Sequence, residues 1–275
     1  MTVGSMSKIS IVCLCLLAAF NGCAGRLNVT EQMMWSTYPV ITQSGMATGF
    51  VMEGKDRKGG ALPVMVTPLH VVQLVGKGPL YVGTRIANSR GEPQGAVIQL
   101  IPPKRGRFYV RHSSLDLAAF PLQLPESVRA QVSMPTFLKE SSIGSGLNSL
   151  RSGSEVFFLG FPDVLPGTPG AFPVLRSGRI ASYPVRERMS EGLFLIDADV
   201  YPGDSGAPVF VAGPGGHPRL VGMVVRRIGT DAQRFSHLAV AIEAGAIRET
   251  VRIFAQKTAV PPATTAVTRK PANRR

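Results

Sequence analysis

Cysteine is nearly absent from this sequence. The chain of 275 residues has three cysteines, at positions 13, 15 and 23, and none follows. A fold built on disulfide bonds is therefore excluded, and so is a cysteine-ligated zinc site in the body of the chain. Aromatic residues are also few, at 7%, but apolar residues make up 44%, which argues against global disorder. The length is sufficient for one all-β unit or for two domains with an ample core.

The apolar run near the start of the chain is too short for a permanent membrane helix. Residues 9–20 are apolar and follow Lys8, whereas a spanning helix needs about 20 such residues. The run is typical of a signal peptide, and its end, Phe20-Asn-Gly-Cys23, resembles the bacterial lipobox, whose cysteine is acylated. We predict a lipoprotein-type signal peptide at residues 1–23, with Cys23 lipidated. The protein is then exported to the bacterial cell envelope or periplasm and anchored to the membrane; an ordinary signal cleaved near Ala24 is the alternative.

Basic residues outnumber acidic ones, 30 to 17, which gives a net charge of +13. Five of the basic residues and no acidic one lie in the last twenty positions, which also contain Pro261-Pro262 and repeated Ala and Thr. We interpret residues 256–275 as a disordered basic tail. Between leader and tail, 24 basic residues stand against 17 acidic ones. No aromatic interleaving or nucleic-acid module accompanies them, so we predict no nucleic-acid partner.

The pattern of the body favours short strands over helices. From residue 46 to about 245, Gly and Pro interrupt short apolar runs at the spacing of roughly 8–12 residues that is typical of β-sandwiches and barrels. A helical period is clearest in Ala244–Phe254, where Ile247, Val251 and Phe254 share one face. Residues 24–45 are interpreted as a lead-in segment, and Pro125–Arg151 as a polar link between two strand-rich halves.

Three segments carry the residue types of nucleophilic catalysis. Gly203-Asp-Ser205-Gly precedes an apolar strand, which predicts Ser205 on a tight turn. His70 follows one apolar strand, and Asp116 precedes another. A serine hydroxyl needs a neighbouring base, and that base needs an acceptor that fixes its tautomer. The N–H groups of Gly203 and Ser205 are predicted to form an oxyanion hole, because Gly203 has no Cβ to keep a substrate carbonyl away.

The order His70, Asp116, Ser205 is that of the chymotrypsin-fold serine peptidases. Subtilisin-like enzymes and α/β-hydrolases have other orders. The flanking segments most resemble the bacterial HtrA-like trypsin-type peptidases: Ala47-Thr-Gly-Phe50 is similar to their Gly-Ser-Gly-Phe strand, Thr67-Pro-Leu-His70 to Thr-Asn-Asn-His, and Asp197-Ala-Asp-Val-Tyr-Pro-Gly-Asp-Ser205 to Asp-Ala-Ala-Ile-Asn-Pro-Gly-Asn-Ser.

This resemblance implies an all-β fold: two six-stranded antiparallel β-barrels, an active site in the cleft between them, and a short C-terminal helix. The peptidase domain is predicted at residues 46–255, with the first barrel at about 46–128 and the second at about 150–245. The activity implied is that of a serine endopeptidase that cleaves polypeptides through an acyl-enzyme, with no metal or organic cofactor. No PDZ domain is expected. Two alternatives stay open: an inactive double-barrel protein that binds peptides or a protein partner, and an esterase with the same triad.

The aspartate before the nucleophile departs from the HtrA-like pattern, which has Asn there. In digestive relatives the equivalent of Asp204 pairs with a new N-terminal amine after cleavage of a precursor. No Arg/Lys-Ile-Val-Gly-Gly site precedes Ala47. Activation by cleavage is therefore not predicted, and the sequence does not identify the partner of Asp204.

Specificity is predicted from a second aspartate. Asp199 stands six residues before Ser205, the spacing of the acid in the S1 pocket of trypsin-like enzymes. It would favour Lys or Arg at the cleaved position by ion pairing. Arg226 and Arg227 are predicted on the strand at the pocket entrance, where one of them could neutralise Asp199. The histidines outside the triad are interpreted as surface or packing residues: His112, His217 and His237.

Overall fold

The structure is a computed structural model that describes residues 27–56, 58–76, 78–144, 147, 150–163, 172–185, 192–228, 237–256 and 261–269. The predicted signal peptide and Cys23 lie outside these residues. No helix in the described ranges is both long and apolar enough to cross a membrane.

The first half of the chain forms strands β1 to β7 with three short helices. The elements are α1 (Val29–Ser36), β1 (Thr37–Thr42), β2 (Gly45–Lys55), β3 (Ala61–Thr67), α2 (Leu69–Gln73), β4 (Leu80–Ala87), β5 (Pro93–Ile101), β6 (Val110–Arg111), β7 (Ala118–Pro121) and α3 (Glu126–Arg129).

The second half contributes the remaining elements. They are a 3₁₀ turn (Glu140–Ser142), β8 (Glu155–Gly160), β9 (Val174–Ile180), β10 (Leu193–Asp197), β11 (Pro208–Ala212), a second 3₁₀ turn (Pro214–Gly216), β12 (Pro218–Arg227), β13 (Leu238–Glu243), α4 (Ala244–Gln256) and β14 (Ala263–Arg269).

The strands form two antiparallel sheets. The first has eight strands in the order β14-β5-β4-β1-β2-β3-β7-β6, and the second closes into a six-stranded barrel in the order β10-β13-β12-β11-β8-β9. The all-β class, the closed second barrel and the C-terminal helix are confirmed. The first half has two strands more than the six predicted.

Both additional strands lie outside the predicted first barrel. The lead-in segment contains α1 and β1, and β1 pairs along its whole length with β2. Asn28 begins α1 through a capping box, since its Oδ1 accepts the Glu31 N–H at 2.9 Å and the Glu31 carboxylate accepts the Asn28 N–H at 2.8 Å. In the segment predicted to be a disordered tail, residues 263–269 instead form β14, which pairs with β5 at the sheet edge.

Three clusters of buried apolar residues hold this architecture together. One lies within the first sheet, one within the barrel, and one joins the two halves and α4. The joining cluster has members from all three parts, among them Phe50, Leu62, Leu117, Phe210, Met223, Ile242, Ile247, Val251 and Phe254. The helical face predicted for α4 is confirmed, because its three apolar residues are all buried.

Candidate active site

The break between β3 and α2 presents His70. Pro68, with φ −60° and ψ 148°, stands between the last residue of the strand and the first residue of the helix. Because proline fixes φ and cannot donate to a strand ladder, the strand ends there. His70 is the second residue of α2, and 44% of its side chain is exposed. The ring is therefore accessible to a bound substrate.

Asp116 holds His70 through two hydrogen bonds. Its Oδ1 accepts the His70 backbone N–H at 2.8 Å, and its Oδ2 lies 2.6 Å from His70 Nδ1. An ionised carboxylate can only accept, so Nδ1 carries the hydrogen, and Nε2 of the neutral ring keeps a lone pair. In this tautomer His70 can accept a proton at Nε2.

The same contacts determine how Asp116 ionises. Partial burial raises the pKa of Asp116, but the hydrogen bonds from the His70 ring and backbone, the attraction of the ring and the Leu69 backbone together outweigh it. The net result is a pKa of Asp116 below its ordinary value. The carboxylate is thus ionised at neutral pH and available to orient the imidazole.

A second histidine, His112, organises the segment that carries Asp116. Its Nδ1 accepts the backbone N–H groups of Leu115 at 3.1 Å and of Ser114 at 3.3 Å. His112 is buried, and its Nε2 lies 3.6 Å from a carboxylate oxygen of Glu249 on α4. Its interpretation as a packing residue is therefore incomplete, since its ring also fixes the loop that presents Asp116.

The turn that carries Ser205 is fixed by hydrogen bonds to four successive carbonyl groups. These bonds are Asp163 N–H to Pro202 O at 2.9 Å, Thr48 Oγ1 to Gly203 O at 2.7 Å, Ala207 N–H to Asp204 O at 2.8 Å, and Thr48 N–H to Ser205 O at 2.8 Å.

These bonds also orient the two N–H groups of the predicted oxyanion hole. In a trans peptide the N–H points opposite to the carbonyl. Because the carbonyls of Pro202 and Asp204 are bound, the N–H groups of Gly203 and Ser205 are directed away from those partners. Within the described ranges neither N–H has an acceptor. They are therefore two donors beside Ser205 without an acceptor among the described residues, as the predicted oxyanion hole requires.

Two glycines let this turn pack directly against neighbouring backbone, Gly203 in the second half and Gly206 across to the first half. Gly203 and Gly206 have φ of +95° and +99°. A Cβ on Gly203 would lie 2.1 Å from Phe161 O, and one on Gly206 would lie 1.8 Å from Thr48 O and 3.0 Å from Pro68 Cδ. No side chain fits at either position. The Ser205 turn therefore contacts both β2 and the segment just before His70.

Ser205 itself is not hydrogen-bonded to His70. It is partly buried, and among the described residues no hydrogen bond links its Oγ to the imidazole. Such bonds are often long in enzymes without substrate and shorten when substrate binds. The structure thus joins Asp116 to His70 and brings the Ser205 turn against the His70 segment.

The partner of Asp204 is Arg176 on β9. The guanidinium Nη2 binds Asp204 Oδ1, and the other carboxylate oxygen accepts the Tyr201 N–H at 2.7 Å. Asp204 is fully buried, and the guanidinium carbon of Arg176 lies 4.7 Å from the ring centre of Phe158. Burial raises the pKa of Asp204, an effect that the guanidinium opposes. An internal cation thus compensates the charge next to the nucleophile.

Asp199, the predicted specificity residue, pairs with a histidine. Its Oδ1 lies 2.5 Å from His237 Nδ1, and both side chains are more than half exposed. Neither predicted arginine forms a described ion pair with Asp199 in the part of the chain that the structure covers. Arg226 is exposed, and Arg227 makes other interactions. The residue that binds this carboxylate among the described ones is His237, directly before β13, and neutralisation of Asp199 by an arginine stays a prediction.

Arg226 instead lines a cavity between the two halves. The cavity has a volume of about 410 Å³ and is adjacent to the triad carboxylate. Its walls come from the loop before β7 and from three strands of the barrel: Ser114, Leu115, Asp116, Leu193, Val225, Arg226, Val240 and Ile242. Among the described residues no cluster of His, Cys, Asp and Glu could hold a metal ion.

Sequence reasoning did not identify the site roles of Thr48 and Arg176. A signal for Arg176 existed, because an aspartate in a tight apolar turn needs a buried cation. The strand Arg176-Ser-Gly-Arg-Ile180 is one source of such a cation. For Thr48 the sequence gives no comparable signal, since a threonine in a strand is common.

Comparison with known proteins gives a family and similar solved structures. The model of the trypsin-like peptidase domain matches residues 47–223. Among solved structures, the chain is similar to an inactive form of Rv3671c from M. tuberculosis, a serine-to-alanine mutant, at 18% sequence identity and a TM-score of 0.48. That alignment covers 94% of this chain and 99% of the other. No curated protein matches the sequence.

Proposed function

Because the chain belongs to the trypsin-like peptidase family, we propose that it is a serine endopeptidase that hydrolyses polypeptides. One observation carries the proposal: the carboxylate of Asp116 fixes His70 in the tautomer of a general base, beside a turn with two N–H groups that have no acceptor in the described part of the chain. A purely structural turn would not need its donors to be free of partners.

In the first half-reaction, Ser205 Oγ attacks the substrate carbonyl carbon while His70 Nε2 takes the hydroxyl proton. The carbonyl oxygen becomes an oxyanion that accepts hydrogen bonds from the Gly203 and Ser205 N–H groups. The C–N bond then breaks, His70 gives its proton to the leaving amine, and an acyl-enzyme remains.

In the second half-reaction, water replaces the amine. His70 takes a proton from the water as it attacks the acyl carbon, and the second tetrahedral intermediate uses the same two N–H donors. Collapse releases the carboxylic acid and returns the proton to Ser205 Oγ. Throughout, Asp116 stabilises the imidazolium without becoming protonated, which fits its lowered pKa.

The proposal is tested with wild type and Ser205→Ala. Hydrolysis of a peptide library is expected from wild type, with a fall in kcat of the order of 10⁶-fold in the variant. A fluorophosphonate should label wild type alone. Equal labelling of the two proteins would exclude Ser205 as the nucleophile. The same library, cleaved by Asp199→Asn, shows whether Asp199 selects Lys or Arg at the cleaved position.

A second candidate is an inactive double-barrel protein that binds peptides or a partner protein. The absence of a Ser205–His70 hydrogen bond among the described residues favours it. The two candidates differ in the fluorophosphonate experiment, because an inactive scaffold binds peptide without being labelled. An esterase would instead turn over ester substrates and leave peptides intact.

We further propose that the protein is exported and lipid-anchored through Cys23, on the basis of the residues 9–20 apolar run and the cysteine that follows it. Expression in a bacterial host with a labelled fatty acid tests this. Wild type should carry the label in the membrane fraction, and Cys23→Ala should not. Labelling of both proteins would contradict the anchor.

A further inference from the structure

Thr48 lies outside the predicted triad but is hydrogen-bonded to the Ser205 turn, to Phe161 and to Thr67. It is fully buried on β2, in the first half. It makes four hydrogen bonds: its N–H to Ser205 O at 2.8 Å, its Oγ1 to Gly203 O at 2.7 Å, the Phe161 N–H to its Oγ1 at 3.1 Å, and the Thr67 hydroxyl to its carbonyl oxygen at 2.9 Å.

The hydroxyl of Thr48 acts as both a donor and an acceptor, and its single hydrogen is already used in one hydrogen bond. It donates to Gly203 O and accepts from the Phe161 N–H. Both backbone groups are buried with their residues. Removal of the hydroxyl would leave one buried acceptor and one buried donor without partners, which is costly in an interior.

The backbone conformation of Gly203 depends on the Thr48 hydroxyl more than that of the neighbouring turn residues does. The carbonyls of Pro202, Asp204 and Ser205 all accept from backbone N–H groups, whereas the carbonyl of Gly203 accepts from a side chain. Glycine has little intrinsic preference for its positive φ, so external contacts must hold the residue in place. The Thr48 hydroxyl is the side-chain contact that does so in the described structure.

We propose that Thr48 is a positioning residue of the oxyanion hole. Its hydroxyl, supplied by the first half, holds Gly203 in the conformation in which the Gly203 N–H is free to bind the oxyanion. The inference rests on the proposed peptidase function. It also makes the oxyanion hole a shared property of the two halves, because the holding residue and the donor belong to different halves of the chain.

The test replaces Thr48 with valine, which keeps the branched shape and removes the hydroxyl. We expect kcat to fall about 10²-fold, because a small displacement of a transition-state contact has an effect of that size. KM should change little, since the oxyanion forms after binding. Thr48→Ser, which keeps the hydroxyl, should recover most of kcat. A merely structural role would not produce this selective loss of kcat.

Thr84 offers a matched control. It is a buried threonine on β4, 1% exposed, and its Oγ1 has no hydrogen-bond partner among the described residues. Thr84→Val therefore makes the same chemical change without breaking a bond, and its kcat should equal that of wild type. If Thr84→Val loses as much kcat as Thr48→Val, the effect belongs to any buried threonine and the inference is wrong.

Amide hydrogen exchange supplies a readout that does not need catalysis. The Asp204 N–H belongs to the same peptide group as the Gly203 carbonyl and donates to Tyr201 O at 3.0 Å. In Thr48→Val this amide should exchange faster, and in Thr48→Ser it should not. If wild type shows no Ser205-dependent hydrolysis, the proposed function fails, and the exchange rate of the Asp204 amide alone tests the positioning role of Thr48.

Unchanged exchange of this amide in Thr48→Val overturns the positioning role. Where Thr48→Val does not fold, the same exchange measurement is made on Thr48→Ala.

Discussion

Two pairs of interacting ionisable side chains lie near Ser205: Asp116 with His70, and Asp204 with Arg176. The two pairs differ in how deeply they are buried. Asp116 and His70 are both about one-third to one-half exposed, which leaves the imidazole accessible for the proton transfers of the proposed mechanism. Asp204 and Arg176 are largely withdrawn from water, with exposures of 0% and 18%. In the proposed mechanism the first pair takes part in the chemistry, whereas the contacts of the second pair hold the shape of the turn.

The Asp116 contact should make stability depend on pH in the acid range. The folded-state pKa of Asp116 is lower than its unfolded value, so the folded protein binds this proton less tightly. The stabilisation is present above the unfolded pKa of about 3.9 and is lost as pH falls through the folded value. Urea unfolding at neutral pH and near pH 3 should therefore show the free-energy gap between wild type and Asp116→Asn shrinking in acid. A gap that widens in acid would contradict the assignment.

The buried pair predicts an asymmetric response to mutation. Arg176→Met leaves the Asp204 charge without a partner and should lower the free energy of unfolding by about 3–5 kcal/mol. Adding Asp204→Asn to Arg176→Met should recover part of that loss, because the uncompensated charge is removed. Arg179→Met on the same strand, where the side chain is exposed, should change stability by no more than about 0.5 kcal/mol. Urea titrations measure the free energy of unfolding of the three variants. A double variant no more stable than Arg176→Met would refute the explanation by an uncompensated Asp204 charge.

At the residue scale, the sequence predicts groups that act within short motifs and misses groups that act across the fold. His70, Asp116 and Ser205 each stand beside an apolar strand, in a diagnostic order. The Thr48–Gly203 hydrogen bond joins residues 155 positions apart. No local pattern encodes such a contact, since it exists only after the two halves have docked.

Among the elements, α4 is one that joins both halves. Its buried face packs in the shared cluster, while Arg252 on the opposite face is 65% exposed beside Glu140. Phe254→Ala should lower the free energy of unfolding by about 3–5 kcal/mol. Arg252→Ala should lower it by at most about 1 kcal/mol, because exposed ion pairs contribute little. Thermal or urea unfolding of both variants decides the comparison, and equal losses would mean that the helix is not held by its apolar face.

The strand β14 covers an edge of the first sheet. It pairs with β5 from residue 263 to residue 269, and unpaired edges recruit other chains. A chain ending at residue 260 should therefore self-associate more readily than the full chain, as measured by sedimentation velocity. Equal sedimentation of the two chains at matched concentrations would show that β14 does not protect this edge.

At the element scale, the success for α4 and the failures for β1 and β14 have physical reasons. The helix has a buried face of period 3.6, which a sequence displays. Strand β1 contains Pro39, which argues against a central strand. Pro39 fits in β1 because Gly83 on the neighbouring strand β4 has no side chain. A Cβ on Gly83 would lie 2.3 Å from Pro39 Cγ. Strand β14 follows two prolines and carries Thr and Ala, a composition that also suits a tail.

The whole molecule should unfold as one cooperative unit. The cluster that joins the halves draws members from both sheets and from α4, so separation of the halves would expose buried apolar residues in each of them. Trp35, the single tryptophan, lies in the first half and reports on that half by fluorescence. Its urea transition should coincide with the transition seen by far-ultraviolet circular dichroism. Two separated transitions would show that the halves are independently stable.

The pairing of β14 with β5 has a consequence for the path of the chain. The polypeptide leaves the first sheet after β7, builds the whole barrel, and returns through α4 to end in the sheet where it began. In topological terms the barrel is an insertion between two strands of the first sheet, so the chain connects it to that sheet at both of its ends instead of through one linker. A double tether restricts how far two bodies can drift apart. Even after proteolytic cleavage between β7 and β8, the fragment that carries Ser205 would stay bound to the fragment that carries His70 through the ladder between β14 and β5.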